Sequence, residues 1–355
     1  MNKNRPMTVD TSSVPLPPYF PDHPVVRQDV GRNYSNIEML DKQLNERLQE
    51  LEAAGLLDNT IVFFFSDHGG PLPRGKREHY DSGLKVPFMV RMPGEAHFER
   101  VPELVSFVDF APTVLSLAGI KPPEYMQGKP FLGKYKRQKP RRYVFGSGDR
   151  FDEFADRIRI ARDKRYLYVR NYHPELPSYK DVGYRKQMDM MNVLLDLHEQ
   201  HQLNAQQKYY FRETKTREEL YDCWEDPYQL NNLIDDDSLK DKLNELRAAM
   251  DRWQEQDGDK GNIPELQLFY SMWPDGKQPK TQMPIAEIKD KKLTLKCNTP
   301  GASIGFIVAD EPIVPGLDSG WQVYHKPVEA HNGQIVYILA TRIGYQDSEI
   351  KTIQL

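Results

Sequence analysis

Residues 60–65 (TIVFFF), followed directly by residues 66–70 (SDHGG), form the stretch of sequence that decides the fold. The first six residues are all β-branched or aromatic. Such a run is typical of a strand buried on both faces, which favours a mainly parallel sheet covered by helices. In open α/β sheets, ligands bind beyond the carboxyl ends of the strands. Asp67 and His68 stand at that position, so the stretch predicts an α/β fold with a site at the mouth of its sheet.

Helical patterns and a short strand flank this stretch. Five apolar residues recur at three- and four-residue steps and are followed by Gly55, which predicts an amphipathic helix with a C-terminal glycine. Residues 87–91 (PFMVR) predict a second strand, and residues 106–118 predict a further helix. The five prolines in residues 11–31 predict an extended surface arm. The apolar residues of the first helix are Ile37, Leu40, Leu44, Leu48 and Leu51.

Composition restricts the classes of function. The 355 residues carry a formal net charge of −4, so there is no global basic field and nucleic acid is not expected as a partner. No apolar run approaches the roughly 20 residues that a membrane-spanning helix needs. The opening residues MNKNRPMTVD contain Lys3 and Arg5 but no apolar stretch after them, so they do not form a signal peptide.

A basic loop follows SDHGG and carries the second half of the expected site. Residues 74–80 read RGKREHY, and their cations can face the same end of the strand. Lys76 and Arg77 offer donors to a tetrahedral oxyanion, lysine as a point charge and arginine as a planar fork. Alone, SDHG favours a strand-ending turn, and RGKR alone favours a solvated basic loop. Together they favour an anion-binding site.

Several ordered motifs make the chain similar to the sulfatase family of the alkaline-phosphatase superfamily. They are DNTIVFFFSDHG, PLPRGKREHYDSGLKVPFMVRMPG, SFVDFAPTVLSLAGI, RIRIARDKRYLYVRNYHP and ELYDCWEDPYQLNNL, in this order. The opening VPLPPYFPDHPVVRQDVGRNYSNIEMLD most resembles bacterial relatives of heparan N-sulfatases. The resemblance covers roughly residues 6–256 and implies a partial alkaline-phosphatase-like sheet covered by helices, followed by a smaller antiparallel sheet.

The resemblance also implies roles for six residues. Asp67 resembles an oxygen ligand of the family's single divalent cation, usually calcium, and His68 resembles the neighbouring residue at the metal and sulfate. Lys76 matches the cation that binds a sulfate oxygen and helps the ester to leave. We therefore expect catalytic roles for Lys76 and His68 and metal ligation by Asp67 and His68. The expected substrate-binding residues are Lys76, Arg77, His79 and Tyr80.

The family's nucleophile has no counterpart in the chain. Sulfatases attack sulfur with a formylglycine made from the first residue of a C/S-x-P/A-x-R motif, and no cysteine or serine here begins that motif. The resemblance therefore implies an N-terminally truncated chain that is inactive alone. It further implies one divalent cation, a formylglycine in the missing N-terminal half of the domain, and that half as a partner. Because members of the family are usually exported, the resemblance also implies that the full-length protein is periplasmic or secreted.

The character of the sequence changes near residue 285. Residues 257–284 are polar and contain glycine and proline, which is typical of a linker between residues 1–256 and residues 285–355. The last segment contains short strand-like runs separated by turns, which predicts a small β-sandwich. It resembles the module appended to some bacterial hexosaminidases and sulfatases. Trp321 and Tyr324 are candidates for stacking on a sugar or for packing in the core.

Three functions are compatible with these observations. The favoured one is hydrolysis of sulfate esters, or of N-sulfates, on saccharides such as glycosaminoglycan fragments. A superfamily phosphodiesterase or phosphatase with two metals is the first alternative, because Asp-His-Gly after a strand also occurs in such enzymes. A non-catalytic product that binds sulfated glycan is the second, because the nucleophile is absent.

Overall fold

The computed structural model describes residues 6–94, 98–329 and 331–355, and it divides into two compact units. The first unit is Met1–Asp259 and the second is Lys260–Leu355. The prediction that the chain does not open with a signal peptide concerns residues 1–10, and the first five of these lie outside the described part of the chain. Within that part, no helix is both long and apolar enough to cross a membrane.

The first unit begins with a segment that packs into the core and a long helix, α1 (Pro24–Ala53). Val14 and Phe20 are buried against Val26 of α1 and against helix α4 (Asp189–Glu199). The prediction of an extended surface arm is therefore wrong. Proline fixes φ near the helical value and lacks an N–H that the first turn leaves unpaired, so Pro24 can begin α1.

The site-bearing strand is shorter and less buried than the sequence predicts. Within the described residues, strand β1 (Val62–Phe65) pairs only with β2 (Phe88–Arg91), and the two are antiparallel. Phe65 is 42 % exposed. The expectation of a strand buried on both faces in a mainly parallel sheet is thus wrong for the described residues, because they supply β1 with one neighbour and cover only part of its surface.

The rest of the first unit is a four-stranded antiparallel sheet with helices. The strands are β3 (Val144–Phe151), β4 (Phe154–Arg162), β5 (Tyr166–Asn171) and β6 (Glu218–Asp222), in that spatial order. Helix α6 (Lys240–Asp257) packs Leu246 and Met250 against one face. This is the predicted smaller antiparallel sheet, and the overall class is α/β as expected. The remaining helices of the unit are α2 (Asp81–Leu84), α3 (Phe110–Leu117) and α5 (Ala205–Lys208).

The second unit is a β-sandwich preceded by a helix. One sheet has three strands, and the other has four; Leu293 and Leu295 of the first meet Phe306, Val336 and Ile338 of the second in one buried cluster. The predicted linker 257–284 is more than a connection, because helix α7 (Glu265–Met272) lies within it and residues from 260 onward belong to this unit. The strands are β7 (Ile285–Lys289), β8 (Lys292–Lys296), β9 (Ser303–Ala309), β10 (Gln322–Val323), β11 (Val328–Glu329), β12 (Ile335–Thr341) and β13 (Lys351–Gln354).

Both aromatic residues considered for sugar stacking take part in the packing of the second unit. Trp321 is partly buried against the cluster of Ile307, Ile335 and Tyr337. Tyr324 packs edge-on against Phe306, with ring centroids 6.4 Å apart. Of the two interpretations made from the sequence, packing in the core is therefore the one that these contacts support.

Candidate functional site

The loop that follows β1 folds back on itself through backbone hydrogen bonds. The amide of Lys76 donates to the carbonyl of Gly70 at 2.7 Å, and the amide of Gly69 donates to the carbonyl of Gly83 at 2.8 Å. These bonds bring the basic loop to the end of the strand that carries Asp67. The prediction that the cations of the loop face this strand end concerns their side chains, and the two bonds show that the backbone of the loop returns to it.

Glycine is required at two points of this loop. A β-carbon on Gly69 would lie 2.0 Å from the carbonyl oxygen of Ser82, and one on Gly75 would lie 2.1 Å from that of Gly70. No side chain can be accommodated at such distances from backbone atoms, so the close approach depends on both glycines. By contrast, a β-carbon on Gly70 would meet nothing within 4 Å.

Asp67 and His68 are accessible at the strand end. The Asp67 side chain is 84 % exposed, and its carboxylate lies 3.5 Å from Nε2 of His68. The other ring nitrogen, Nδ1, lies 2.7 Å from the carbonyl oxygen of Gly69, which orients the imidazole. Ser66 Oγ donates to the carbonyl of His68 at 2.6 Å and fixes the turn.

The oxygen and nitrogen donors at this point could form part of a cation site. A carboxylate oxygen suits calcium, which prefers oxygen ligands. No group of three or more His, Cys, Asp or Glu side chains that could hold a metal occurs among the described residues. Asp67 and His68 therefore fit one edge of a cation site.

Lys76 and Arg77 are neighbours with different surroundings. Lys76 is half-buried, and among the residues that the structure describes its side chain forms no ion pair. Arg77 is exposed, but its guanidinium is paired with Asp152 at the tip of the β3–β4 hairpin and lies over the ring of Tyr184, 4.8 Å from the centroid. The two cations are thus not equivalent: the ammonium of Lys76 is available to a ligand, and the guanidinium of Arg77 holds the loop.

His79 and Tyr80 lie in the interior beneath the loop. Their rings pack at a tilt of 38°, with centroids 4.2 Å apart, and the Tyr80 hydroxyl donates to the buried carboxylate of Glu219 at 3.1 Å. Burial lowers the pKa of His79, although the charges of Glu219 and Glu78 oppose that shift. The expectation that His79 and Tyr80 contact substrate therefore has no support from their placement, which instead makes them supports of the loop.

Glu219 is the centre of a polar network that sequence reasoning missed. Its carboxylate accepts hydrogen bonds from Tyr221 at 2.7 Å, from Asn171 at 3.1 Å and from Arg212 at 3.3 Å. Burial alone would raise the pKa of Glu219, but the charge of Arg212 and these hydrogen bonds together hold it below the ordinary value. A buried charge of this kind is tolerated because its partners surround it.

A second buried pair, Glu78 and Arg185, anchors the basic loop itself. The guanidinium of Arg185 donates to the Glu78 carboxylate at 2.6 Å, and both side chains are almost fully buried. Tyr210 is a further partner of the same guanidinium. The local sequence does not identify Arg185 as the partner of Glu78, because the two are separated by more than a hundred residues. The acidic residue within RGKREHY was the one available sign that the loop needs a buried cation.

Comparison with known proteins agrees with the motifs. A sequence model of the sulfatase family matches residues 4–120, and a model of the C-terminal part of N-sulphoglucosamine sulphohydrolase matches residues 74–209. An ulvan-active sulfatase of Formosa agariphila is 44 % identical over 96 % of this chain and 56 % of its own length. Human N-sulphoglucosamine sulphohydrolase is 28 % identical over 70 % of this chain and 52 % of its own length.

The chain thus spans about half the length of the curated relatives that it matches. Among solved structures, one described as a 2-O GAG sulfatase has a TM-score of 0.49 and 21 % identity, covering 72 % of this chain and 52 % of that chain.

Proposed function

Because the chain belongs to the sulfatase family, we propose that it is the C-terminal portion of a sulfuric ester or N-sulfate hydrolase acting on sulfated saccharides. The observation that supports the proposal most directly is the backbone hydrogen bond from Lys76 to Gly70, which holds the loop that carries Lys76 against the backbone three residues after Asp67. Glycosaminoglycan fragments are the proposed substrates. Relatives named for ulvan and for N-sulphoglucosamine support a sulfated saccharide.

Some residues of this chain contact the proposed substrate, and others hold those residues in position. The Lys76 ammonium binds a sulfuryl oxygen and stabilises the negative charge that develops on the leaving ester oxygen. His68 contacts the sulfate or the nucleophile through Nε2, because its Nδ1 is engaged by the Gly69 carbonyl. Arg77 reaches substrate only if it leaves Asp152, so we assign it first to holding the loop.

One divalent cation completes the proposed site. Asp67 supplies an oxygen ligand and His68 lies beside it, and calcium is the proposed ion because the accessible donor is a carboxylate. When bound, the cation neutralises charge on the sulfuryl oxygens. The remaining ligands and the formylglycine nucleophile are assigned to the portion of sulfatases that this chain does not match. We refer to this chain together with that portion as the completed domain, and we place it in the periplasm or outside the cell.

Two measurements test this function. The 355-residue chain alone should not hydrolyse an aryl sulfate, whereas the completed domain should do so with one divalent cation per molecule. Clear turnover by the chain alone would mean that it carries a nucleophile outside the C/S-x-P/A-x-R motif. Two zinc ions per completed domain would refute the sulfatase assignment in favour of a two-metal phosphodiesterase or phosphatase. Binding of sulfated glycan without turnover by the completed domain would favour a non-catalytic role.

A further inference from the structure

Residues 125–148 are strongly basic, although the whole chain has a formal net charge of −4. They include seven lysines and arginines and no aspartate or glutamate. Such a concentration of one charge sign creates a local field that the net charge of the chain does not reveal. We call this stretch the basic segment. Its cations are Lys129, Lys134, Lys136, Arg137, Lys139, Arg141 and Arg142.

The cations of the basic segment differ in whether they have a partner. The guanidinium groups of Arg137 and Arg141 donate to the fully buried carboxylate of Asp109, and that of Arg142 donates to Glu245. By contrast, the four lysines of the segment are exposed, and their ammonium groups form no ion pair with any residue that the structure describes. These ammonium groups are therefore available to an external anion.

The backbone of the basic segment is attached to helix α3. The amide of Lys134 donates to the carbonyl of Ser116 at 3.2 Å, and the amide of Tyr135 donates to Ser116 Oγ at 2.8 Å. The amide of Arg137 donates to the carbonyl of Pro130 at 2.8 Å. Because these bonds hold the backbone in place, an anion that pairs with the lysines does not have to order this part of the chain first.

A cavity of about 410 Å³ adjoins the basic segment. Arg141 of the segment and Arg252 of α6 line it, together with Phe145 and Trp253, whose rings stack with centroids 4.9 Å apart. Arg252 is exposed and forms no ion pair within the described part of the chain. Aromatic rings with a few polar groups are typical of a small-ligand site, and aromatic faces suit sugar rings. Amide and carboxylate groups, which hydrogen-bond hydroxyls, also line the cavity and belong to Gln256 and Asp257.

The cavity and the basic segment lie away from the proposed catalytic residues. Phe145 pairs with Ala161 on the face of the four-stranded sheet that α6 covers, whereas Tyr80 of the basic loop packs on the other face with Ile160. Strand β3 leads from the basic segment to the hairpin tip that pairs with Arg77. Its eight residues extend about 25 Å, so the two regions are separated by that length and by the sheet.

We propose that the basic segment and the adjoining cavity bind a sulfated polysaccharide chain at a distance from the site of hydrolysis. The exposed lysines pair with sulfate groups along the polymer. A sugar ring enters the cavity against Phe145 and Trp253, and Arg252 pairs with its sulfate group. Polybasic segments are attracted to anionic surfaces with a contribution from each cation, and the aromatic cavity favours a saccharide over other polyanions. The inference takes the class of polymer from the proposed function, but it concerns binding and not turnover.

Binding of a heparin octasaccharide, a densely sulfated saccharide, to the 355-residue chain tests the inference by isothermal titration calorimetry. A variant that combines Lys134→Gln, Lys136→Gln and Lys139→Gln should bind about tenfold more weakly or worse, because it removes three unpaired cations. Arg252→Gln should weaken binding about threefold or more, because it removes the unpaired cation of the cavity. Each of these side chains is exposed, so the variants should fold as the parent does.

The matched control removes three exposed lysines of the second unit. Lys289→Gln, Lys291→Gln and Lys292→Gln in one variant change the net charge by the same amount. This control should bind heparin within about twofold of the parent, because only the local field around the basic segment is proposed to attract the polymer. A loss equal to that of the variant in the basic segment would overturn the inference.

The chemistry of the ligand is tested with two further polymers. A hyaluronan octasaccharide, which carries carboxylates but no sulfate, should bind about tenfold more weakly than heparin. Equal binding of the two saccharides would overturn the inference. Equally tight binding of a DNA duplex would overturn it in favour of a nucleic-acid site. Heparin binding by the chain, with no sulfate hydrolysis by the completed domain, would leave the inference standing and remove the proposed function. Hydrolysis by the completed domain, with heparin binding unaffected by loss of the three lysines, would do the reverse.

Discussion

Arg185 donates a hydrogen bond from its guanidinium to the backbone carbonyl of Lys76, at 3.2 Å. The same nitrogen also donates to the carboxylate of Glu78. A cation from a distant segment therefore holds the residues on both sides of Arg77, through the backbone of Lys76 and the side chain of Glu78, and it fixes the loop from which Lys76 extends. This relationship connects a buried ion pair to the residue on which the proposed chemistry depends.

Removing Arg185 should destabilise the chain strongly. Arg185→Met leaves Glu78 buried without its cation, and we expect a loss of about 3–5 kcal/mol in the free energy of unfolding, measured by urea denaturation. Lys186→Met is the control, because Lys186 is paired with Asp181 at the surface and should contribute less than about 1 kcal/mol. Similar losses for the two variants would contradict the role given to the buried pair.

The two adjacent glycines after His68 should respond differently to alanine. Gly69→Ala places a β-carbon against the Ser82 carbonyl, and we expect a loss of about 2 kcal/mol or more. Gly70→Ala meets nothing within 4 Å and should change stability by less than about 1 kcal/mol. Denaturant midpoints of the two variants check this difference, and an equal effect would show that the loop does not fold back as described.

Stability should fall when the pH drops below 6.5. Burial lowers the pKa of His79 from 6.5, so the unfolded chain takes up that proton at a higher pH than the folded chain does. The folded state therefore loses stability as the pH falls from 6.5 towards the lowered pKa, with a slope of up to about 1.4 kcal/mol per pH unit. The Glu219 carboxyl, whose pKa is held below 4.5, adds a similar loss only in more acidic solution.

His79→Gln should remove most of the loss between pH 6.5 and 5. Unfolding free energies of the parent and the variant, measured across that range, provide the test. His173→Gln is the matched control, since the His173 side chain is half exposed beside Glu175. If the parent and His79→Gln lose stability equally between pH 6.5 and 5, the burial of His79 does not govern this dependence.

Local pattern predicted the class of the fold and grouped the candidate site residues in one segment of the sequence. About twenty consecutive residues carry the strand, then Asp67 and His68 with the two glycines after them, and then the basic loop. Local signals of this kind can be recognised in a sequence. Whether the faces and edges of β1 are covered could not be predicted in this way. A continuous apolar run shows that a strand needs covering on both faces, but it does not show whether the same chain supplies the cover.

The supports of the site were equally invisible to sequence reasoning. His79 and Tyr80 stand beside Lys76 in sequence and were expected to contact substrate, yet they point into the network around Glu219. Glu219 and Arg185 are brought to the loop only by tertiary contacts across the unit. Polar residues near a motif therefore divide into exposed and buried groups that only the folded structure distinguishes.

The most direct test of the central claim is the effect of Lys76→Ala on turnover of an aryl sulfate by the completed domain. If the Lys76 ammonium stabilises the sulfuryl group beside Asp67, the variant should lose about 10²-fold or more in kcat. Lys164→Ala, an exposed lysine in the β4–β5 turn, should leave kcat unchanged. Full activity in Lys76→Ala would contradict the account.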